Sequence, residues 1–278
     1  MEPSPVRDAP VSAVIPCYRC AGTLRRAVAS VAAQSLRPAE LILVEDGSGD
    51  GTLQELQDLR RAFGADWVKI VALKENLGLA SARNAGWDAA ACKYVAFLDA
   101  DDAWHPRKIE IQHAFMAAHP EVAVSGHAHL QIAEGEAIDA VPARRDFRAI
   151  SRWDLLLSNR FIAPSAMLRR DLPYRFQAGR RRLEDHLLWL EIASAGLPVV
   201  RLGEILAFTF KAPIGESGLS ANAWTMRKAE LSALWHLYRT GRLGLASAVA
   251  VCAFSLAKHA LRTVLLCAGR MRHFGRRR

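Results

Sequence analysis

The 278-residue chain lacks the features that would place it in several large classes. Its five cysteines are an odd and modest number, which argues against a disulfide scaffold and for a reducing compartment. Cys17 and Cys20 form a lone CxxC with no second pair, so a zinc site is not expected, and chance spacing outweighs a redox motif. The nine histidines contain no HExxH, and Gly47, Gly49 and Gly51 do not spell the dinucleotide fingerprint GxGxxG. The opening MEPSPVRDAP is polar and has no apolar run, so no secretory signal is expected. With 51% hydrophobic residues, 18 Gly and 12 Pro, the composition is that of a folded globular chain and excludes disordered and collagen-like architectures.

Acids are missing from one region. The last is Glu230, and nine bases follow it: Arg239, Arg242, Lys258, Arg262, Arg270, Arg272, Arg276, Arg277 and Arg278. They equal the whole net charge of +9, so the body is neutral and the tail basic. A nucleic-acid binder with a basic face is not expected from this pattern. Leu243–Ala257 is uncharged, but it falls short of the roughly 20 apolar residues of a spanning helix. An apolar run with a polybasic flank fits an interfacial helix on an anionic membrane surface; the alternative is a helix packed on the body with a solvated tail.

What is present is a rhythm. Val11–Pro16, Leu41–Glu45, Trp67–Leu73 and Tyr94–Leu98 are short apolar runs that predict strands. Between and after them, residues 24–33, 52–63, 80–91 and 106–118 predict helices. The repeat of nearly 30 residues fits βα units in a mostly parallel sheet covered on both faces, an α/β fold. Beyond residue 120 the rhythm breaks. Strands are expected at 122–132, 161–168, 199–202 and 205–210, and a helix at 183–195, completing the same sheet. Residues 134–150 and the turn-rich 211–223 read as loops, and 226–278 as helical.

In an open parallel sheet, ligands bind beyond the carboxyl ends of the strands. Those ends carry Pro16-Cys17-Tyr18, Glu45-Asp46-Gly47-Ser48, Asn76-Leu77-Gly78 with Arg83, and Asp99-Ala100-Asp101-Asp102. Three acids this close repel one another unless a cation or hydrogen bonds intervene, which points to Mg²⁺ or Mn²⁺ bridging a diphosphate. A cap on the following helix would need only Asp102. Asp46 could instead belong to a turn, with Asp50 or Thr52 capping the next helix. An EF-hand is excluded because its twelfth position is Gln57. Glu184-Asp185 opens a predicted helix, where acids favour the helix dipole and where a carboxylate could also serve as a general base. His127 and His129 alternate on a predicted strand and are expected to share a face.

Taken in order, VSAVIPCY, LILVEDGSGDGT, NLGLASARNAG, YVAFLDADDAW and LEDHLLWLEIASAG resemble family 2 of the inverting nucleotide-sugar glycosyltransferases, over about residues 10–210. The resemblance implies a GT-A fold over residues 1–222. Its nucleotide half would span about 10–105 and its acceptor half about 106–222, with a basic helical extension at 223–278. Pro16 and Tyr18 would frame the nucleotide, Asp46 would bind the base, usually uracil, and Gly78 and Arg83 would lie near the nucleotide and its phosphates. Asp99 and Asp101 match the DxD signature around Ala100, with Asp102 following, and would hold Mn²⁺ or Mg²⁺. Asp185 matches the catalytic base, with Glu184 beside it near the acceptor. Two positions depart from the family's habit: Arg19 stands where many relatives carry Asn, and Glu45 where Asp is common. The implied donor is a nucleotide-sugar, UDP-linked first of all, and the acceptor a glycan or lipid-linked glycan at the inner face of the cytoplasmic membrane. A non-catalytic sugar-nucleotide or polyanion binder and a nucleotidyltransferase are the competing readings.

Overall fold

The computed structural model describes residues 8–133, 136, 146–210 and 223–257. In chain order the first half is β1 (Ala9–Cys17), α1 (Leu24–Ala32), β2 (Pro38–Asp46), α2 (Thr52–Phe63), β3 (Val68–Leu73), α3 (Leu79–Ala89) and β4 (Tyr94–Phe97). Then come β5 (Ala103–Trp104), α4 (Lys108–Ala118), β6 (Val124–Gln131), β7 (Phe147–Ala149) and α5 (Arg152–Leu157). A 3₁₀ turn (Ala163–Ser165), β8 (Met167–Arg169), α6 (Glu184–Ser194), β9 (Val199–Thr209), α7 (Ala223–Arg239) and a last helix, α8, at 245–257 complete the chain described.

All nine strands form one sheet in the order β3-β2-β1-β4-β8-β6-β9-β5, with β7 pairing on β9. The β3-β2-β1-β4 portion is parallel. The join to the second half, β4 to β8, is antiparallel, as are β8 to β6 and β9 to both β5 and β7, while β6 and β9 run parallel. This is the expected α/β sheet.

The apolar runs explain the layering. In β2, Leu41 and Leu43 face α1, α2 and α4, while Ile42 and Val44 join the core under α3 and α6; all four are fully buried. Successive strand residues point to opposite faces, so a strand covered on both sides must be apolar throughout. Each face places its own helices, and the loops at the carboxyl ends of β1, β2, β3 and β4 are left together at one edge.

Four expectations are corrected. Residues 161–168 do not form a strand. Pro164, which has no N–H to give a ladder, sits in the 3₁₀ turn, and only Met167–Arg169 pairs. The two short strands at 199–202 and 205–210 are one strand, β9. Its register against β6 slips between Gly126↔Arg201 and Ala128↔Ile205, so Gly203 marks a bulge rather than an end. The same irregularity continues to His129: His127 is fully buried and His129 exposed, so they do not share an environment. The loop read at 134–150 contains β7 at its end; its residues 134–135 and 137–145, together with 211–222 and 258–278, lie outside the described residues.

The C-terminal helices pack on the body. Ala233, Leu234 and Leu237 of α7, Leu243, and Ala248 and Val251 of α8 are buried in the same core as Trp87, Phe176 and Trp189. Their outer side is apolar as well: Trp235, Leu245 and Val249 are each about 60% exposed. No helix among the described residues is long and apolar enough to cross a membrane.

Candidate functional site

The site grows from the ends of the parallel strands. At the end of β2, Glu45 builds the turn: its carboxylate accepts the backbone N–H groups of Gly47 at 3.0 Å and Ser48 at 2.6 Å. Gly47 has φ +62°, and a Cβ there would collide with the backbone of Glu75 and Asn76. Only glycine permits both the left-handed backbone and that approach. The next loop is tied to β2 by Asp46, which accepts from the N–H of Leu77 (2.8 Å), the N–H of Gly78 (3.0 Å) and Asn76 Nδ2 (3.1 Å). Burial pushes the Asp46 carboxyl up, against the lowering effect of those N–H groups. Neither Asp50 nor Thr52 is the N-cap of α2, which is Gly51; Asp50 accepts from Thr52 N–H at 2.8 Å in the turn before it. The turn chemistry and the site reading therefore fall on different residues of one loop.

The loop after β1 is fastened to this turn. Arg19 N–H donates to Ser48 Oγ at 3.1 Å, and Arg19 itself has φ +49°. A left-handed backbone costs Arg more than it would cost Asn. Pro16, Tyr18, Asp46 and Gly78 all line one cavity of about 510 Å³. Cys17 also lines it, and Cys17 and Cys20 are free thiols.

Arg83 does not line that cavity. It is buried on α3, with Nη2 on Asp99 at 2.6 Å and Nη1 on Glu184 at 2.7 Å. Two neighbouring carboxylates hold it protonated in spite of burial. The next residue, Asn84, accepts from Phe176 N–H at 2.9 Å and donates to Phe176 C=O at 2.8 Å. Two consecutive residues of α3 thus join the first half of the sheet to the segment leading into α6.

Beyond β4, one carboxylate oxygen from each of Asp99, Asp101 and Asp102 lies within 4.8 Å of the other two. Ala100 between them is buried in the core. Asp102 does not cap α4, whose N-cap is Arg107; Asp102 is buried, and its N–H donates to Asp99 C=O. An all-oxygen, acid-rich set suits a hard divalent cation such as Mg²⁺ or Mn²⁺.

On α6, Glu184 is buried behind the site, held by Arg83. Asp185 accepts from its neighbour His186 N–H at 2.7 Å and from Ala163 N–H at 3.2 Å, in the 3₁₀ turn that replaces the expected strand. Burial first, and then the charge of Glu184, raise the Asp185 carboxyl to about 7. Leu183, just before the pair, is left-handed at φ +55°. Non-glycine residues in that region cluster at functional sites, and the two in the described residues, Arg19 and Leu183, both flank this one.

Sequence reasoning brought out Pro16, Tyr18, Asp46, Gly78, Arg83, the Asp cluster and the Glu184-Asp185 pair, and they converge on one edge of the sheet. It missed Glu45 as the builder of the turn, Asn84 as a clamp, and Arg180 and Arg181, which close the cavity opposite Asp46. The run GRRR just before the acidic pair was the available signal for the last two.

Comparisons with known proteins bear on the family and the fold. The family model for glycosyl transferase family 2 matches residues 12–174. The amylovoran biosynthesis glycosyltransferase AmsE of Erwinia amylovora is 32% identical over 193 residues, covering 66% of this chain and 68% of that protein. The putative teichuronic acid biosynthesis glycosyltransferase TuaG of Bacillus subtilis is 30% identical, covering 82% of this chain and 87% of its own. The Escherichia coli UDP-Glc:alpha-D-GlcNAc-diphosphoundecaprenol beta-1,3-glucosyltransferase WfaP is 27% identical, covering 75% and 84%. Among solved structures, S. aureus TarS 1-349 in complex with UDP-GlcNAc superposes with a TM-score of 0.67 at 18% identity, covering 90% of this chain and 72% of that one. The mannosyltransferase PcManGT of Pyrobaculum calidifontis, with GDP-Man and Mn²⁺, gives 0.62 at 20% identity, covering 97% and 81%. At such identities the structural likeness is one of fold. The chain belongs to glycosyl transferase family 2 and is an inverting nucleotide-sugar glycosyltransferase with an acidic, DxD-like cluster.

Proposed function

We propose that this enzyme moves a sugar from a UDP-sugar to a hydroxyl of a glycan or lipid-linked glycan in bacterial surface-polysaccharide synthesis, with Asp185 as general base. The observation that carries the reading is the Arg83 bridge, with one nitrogen on Asp99 of the acidic cluster and the other on Glu184 beside Asp185. The nucleoside would occupy the cavity walled by Pro16, Tyr18, Asp46 and Gly78, with the diphosphate toward Asp99 and Ala100. WfaP, named for UDP-Glc, and TarS, crystallised with UDP-GlcNAc, support UDP, while PcManGT carries GDP-Man.

An acceptor hydroxyl is a poor nucleophile until its proton is removed. Asp185 receives that proton as the oxygen attacks the anomeric carbon. The bond from that carbon to the diphosphate oxygen breaks on the opposite face, and its electron pair leaves with the nucleoside diphosphate. One displacement inverts the centre, with no covalent enzyme intermediate. Asp99, Asp101 and Asp102 would hold Mn²⁺ or Mg²⁺, which when bound offsets charge on the leaving diphosphate. Arg83 holds Asp99 and Glu184 in place and is a positioning residue, while the N–H groups of Ala163 and His186 hold Asp185.

A peripheral seat on the inner face of the cytoplasmic membrane belongs to the same proposal. The outer apolar side of α7 and α8 and the basic tail give the two signals such binding needs. Domain limits of 1–222 for the transferase and 223–278 for the extension are proposed with it; α7 and α8 of the extension pack on the main core.

The test is a screen of UDP-, GDP- and dTDP-sugars with Mn²⁺, Mg²⁺ or EDTA, on wild type and Asp101→Ala. Metal-dependent binding or slow release of UDP, lost in the variant, is the expected result. Folded protein that binds no nucleotide-sugar would overturn the reading. Salt-sensitive co-sedimentation with phosphatidylglycerol vesicles is expected for the membrane part, and indifference to such vesicles would remove it.

A further inference from the structure

A second cavity, of about 460 Å³, lies between the segment that leads into α6 and helix α7. Its walls carry Arg180, Arg181 and Arg182 from the segment and Thr225, Lys228 and Ser232 from α7, with no carboxylate among its lining residues. It shares Gly179, Arg180 and Arg181 with the nucleotide cavity, so the two adjoin along one wall. Four cations with no acid among the residues that line the cavity favour a concentrated anion, although Glu184 and Glu191 are close enough to act on Arg180.

The cations divide by role. Arg180 is half-buried and holds the wall together, donating to Ala229 C=O at 2.6 Å, Arg182 C=O at 3.1 Å and Gln177 Oε1 at 3.0 Å. Arg181 and Lys228 are exposed, and neither makes a hydrogen bond or ion pair with the other described residues. Among the described residues nothing neutralises their charge. The nearby Glu191 is already engaged by His236 and Arg242, each at 3.0 Å.

We propose that this cavity binds the phosphate or diphosphate group of the acceptor, a site separate from that of the donor's diphosphate. The inference deepens the transferase reading above and rests on it. Two distances in the chain support it. Arg181 and Arg182 precede Asp185 by four and three residues, so their Cα atoms stand within about 10–15 Å of its Cα. On α7, Thr225, Lys228, Ser232 and Trp235 follow at helical spacing and share one face. Trp235 is 59% exposed, and α8 exposes Leu245 and Val249 beyond it. An acceptor with its phosphate among the arginines, its sugar at Asp185 and an apolar chain along Trp235 uses all three features.

The experiment is calorimetric titration of the full chain with Mg²⁺ present. UDP is titrated first; failure of UDP to bind strikes the donor reading and not this one. Geranyl diphosphate and inorganic pyrophosphate are then titrated into UDP-saturated protein. Both wild type and Lys228→Glu are used, with Lys228→Gln as the milder variant; Lys228 lines only the second cavity. The expected result is binding beside UDP, weakened about tenfold by the charge reversal and less by Gln, with UDP affinity unchanged. Geranyl diphosphate binding more tightly than pyrophosphate identifies a lipid-borne group, and equal affinity a water-soluble one; either keeps the anion site. Competition with UDP, or affinity equal in wild type and Lys228→Glu, overturns the proposal.

Discussion

The two halves of the sheet solve different problems. From β1 to β4 the strands are parallel, mostly apolar and joined by regular helices, and the site residues sit at their ends and in the loops that follow. From β5 to β9 the pairing is mixed, the strands are short or bulged, and the general-base candidate sits at the start of a helix behind a left-handed Leu183. The first half is a frame that would hold a nucleotide with backbone turns. The second is irregular because it has to bring a partly buried acid to that frame. The two are joined at the site by Arg83 and Asn84, both on α3.

The sharpest way to separate the halves is Asp185→Asn. Transfer should fall by about 10²–10⁴-fold, the usual worth of a general base, while UDP binding in the first half stays intact. Single-turnover transfer and UDP titration read the two separately. The carboxyl of Asp185 is raised in the folded state, so its charge costs stability above about pH 7, and the cost is relieved as pH falls toward the unfolded value. The same variant should therefore melt slightly higher than wild type at pH 8, and no higher at pH 4.

Breaking the join should cost the fold itself. Arg83→Met leaves Asp99 and Glu184 without their shared cation, and removal of one partner of a buried ion pair costs about 3–5 kcal/mol. Thermal melting checks this, and a melt within a degree or two of wild type would mean the halves are held by packing alone. Within the first half, Gly47→Ala should be destabilising by about 1–3 kcal/mol, since left-handed strain and the Glu75–Asn76 backbone oppose it together. Loss of UDP affinity should accompany it, because the turn faces the cavity. The smallest effect is on pH dependence. The base form of Asp185 is present above about 7, so kcat/KM for the acceptor should fall tenfold per unit below that pH and level off above it. A profile flat from pH 5 to 9 would move the base elsewhere.

Legibility followed the same division. LILV and YVAF announce buried strands because both faces of the sheet are covered, so no polar residue interrupts them. The acids after them stood out against that background. In the second half the signals conflict. FIAPSAML reads as a strand by its apolar residues, but Pro164 and the N–H that Ala163 gives to Asp185 turn it into a 3₁₀ bend. Gly203 reads as a strand end and is a bulge. Arg83 was visible as a residue of the site, but not as the link between Asp99 and Glu184, because 101 residues separate it from the latter.

By itself the sequence determined the α/β frame, the edge at which the ligand residues gather, the acidic cluster and the neutral body with its basic tail. These follow from local periodicity and from the covalent neighbourhood of each strand end. Tertiary structure alone decided that Glu184 is a buried partner of Arg83, that Asp185 is raised to about 7, and that Arg180–Arg182 face Lys228 across a cavity. Burial, charge proximity and concavity are properties of groups brought together from distant parts of the chain, and no spacing along the chain encodes them.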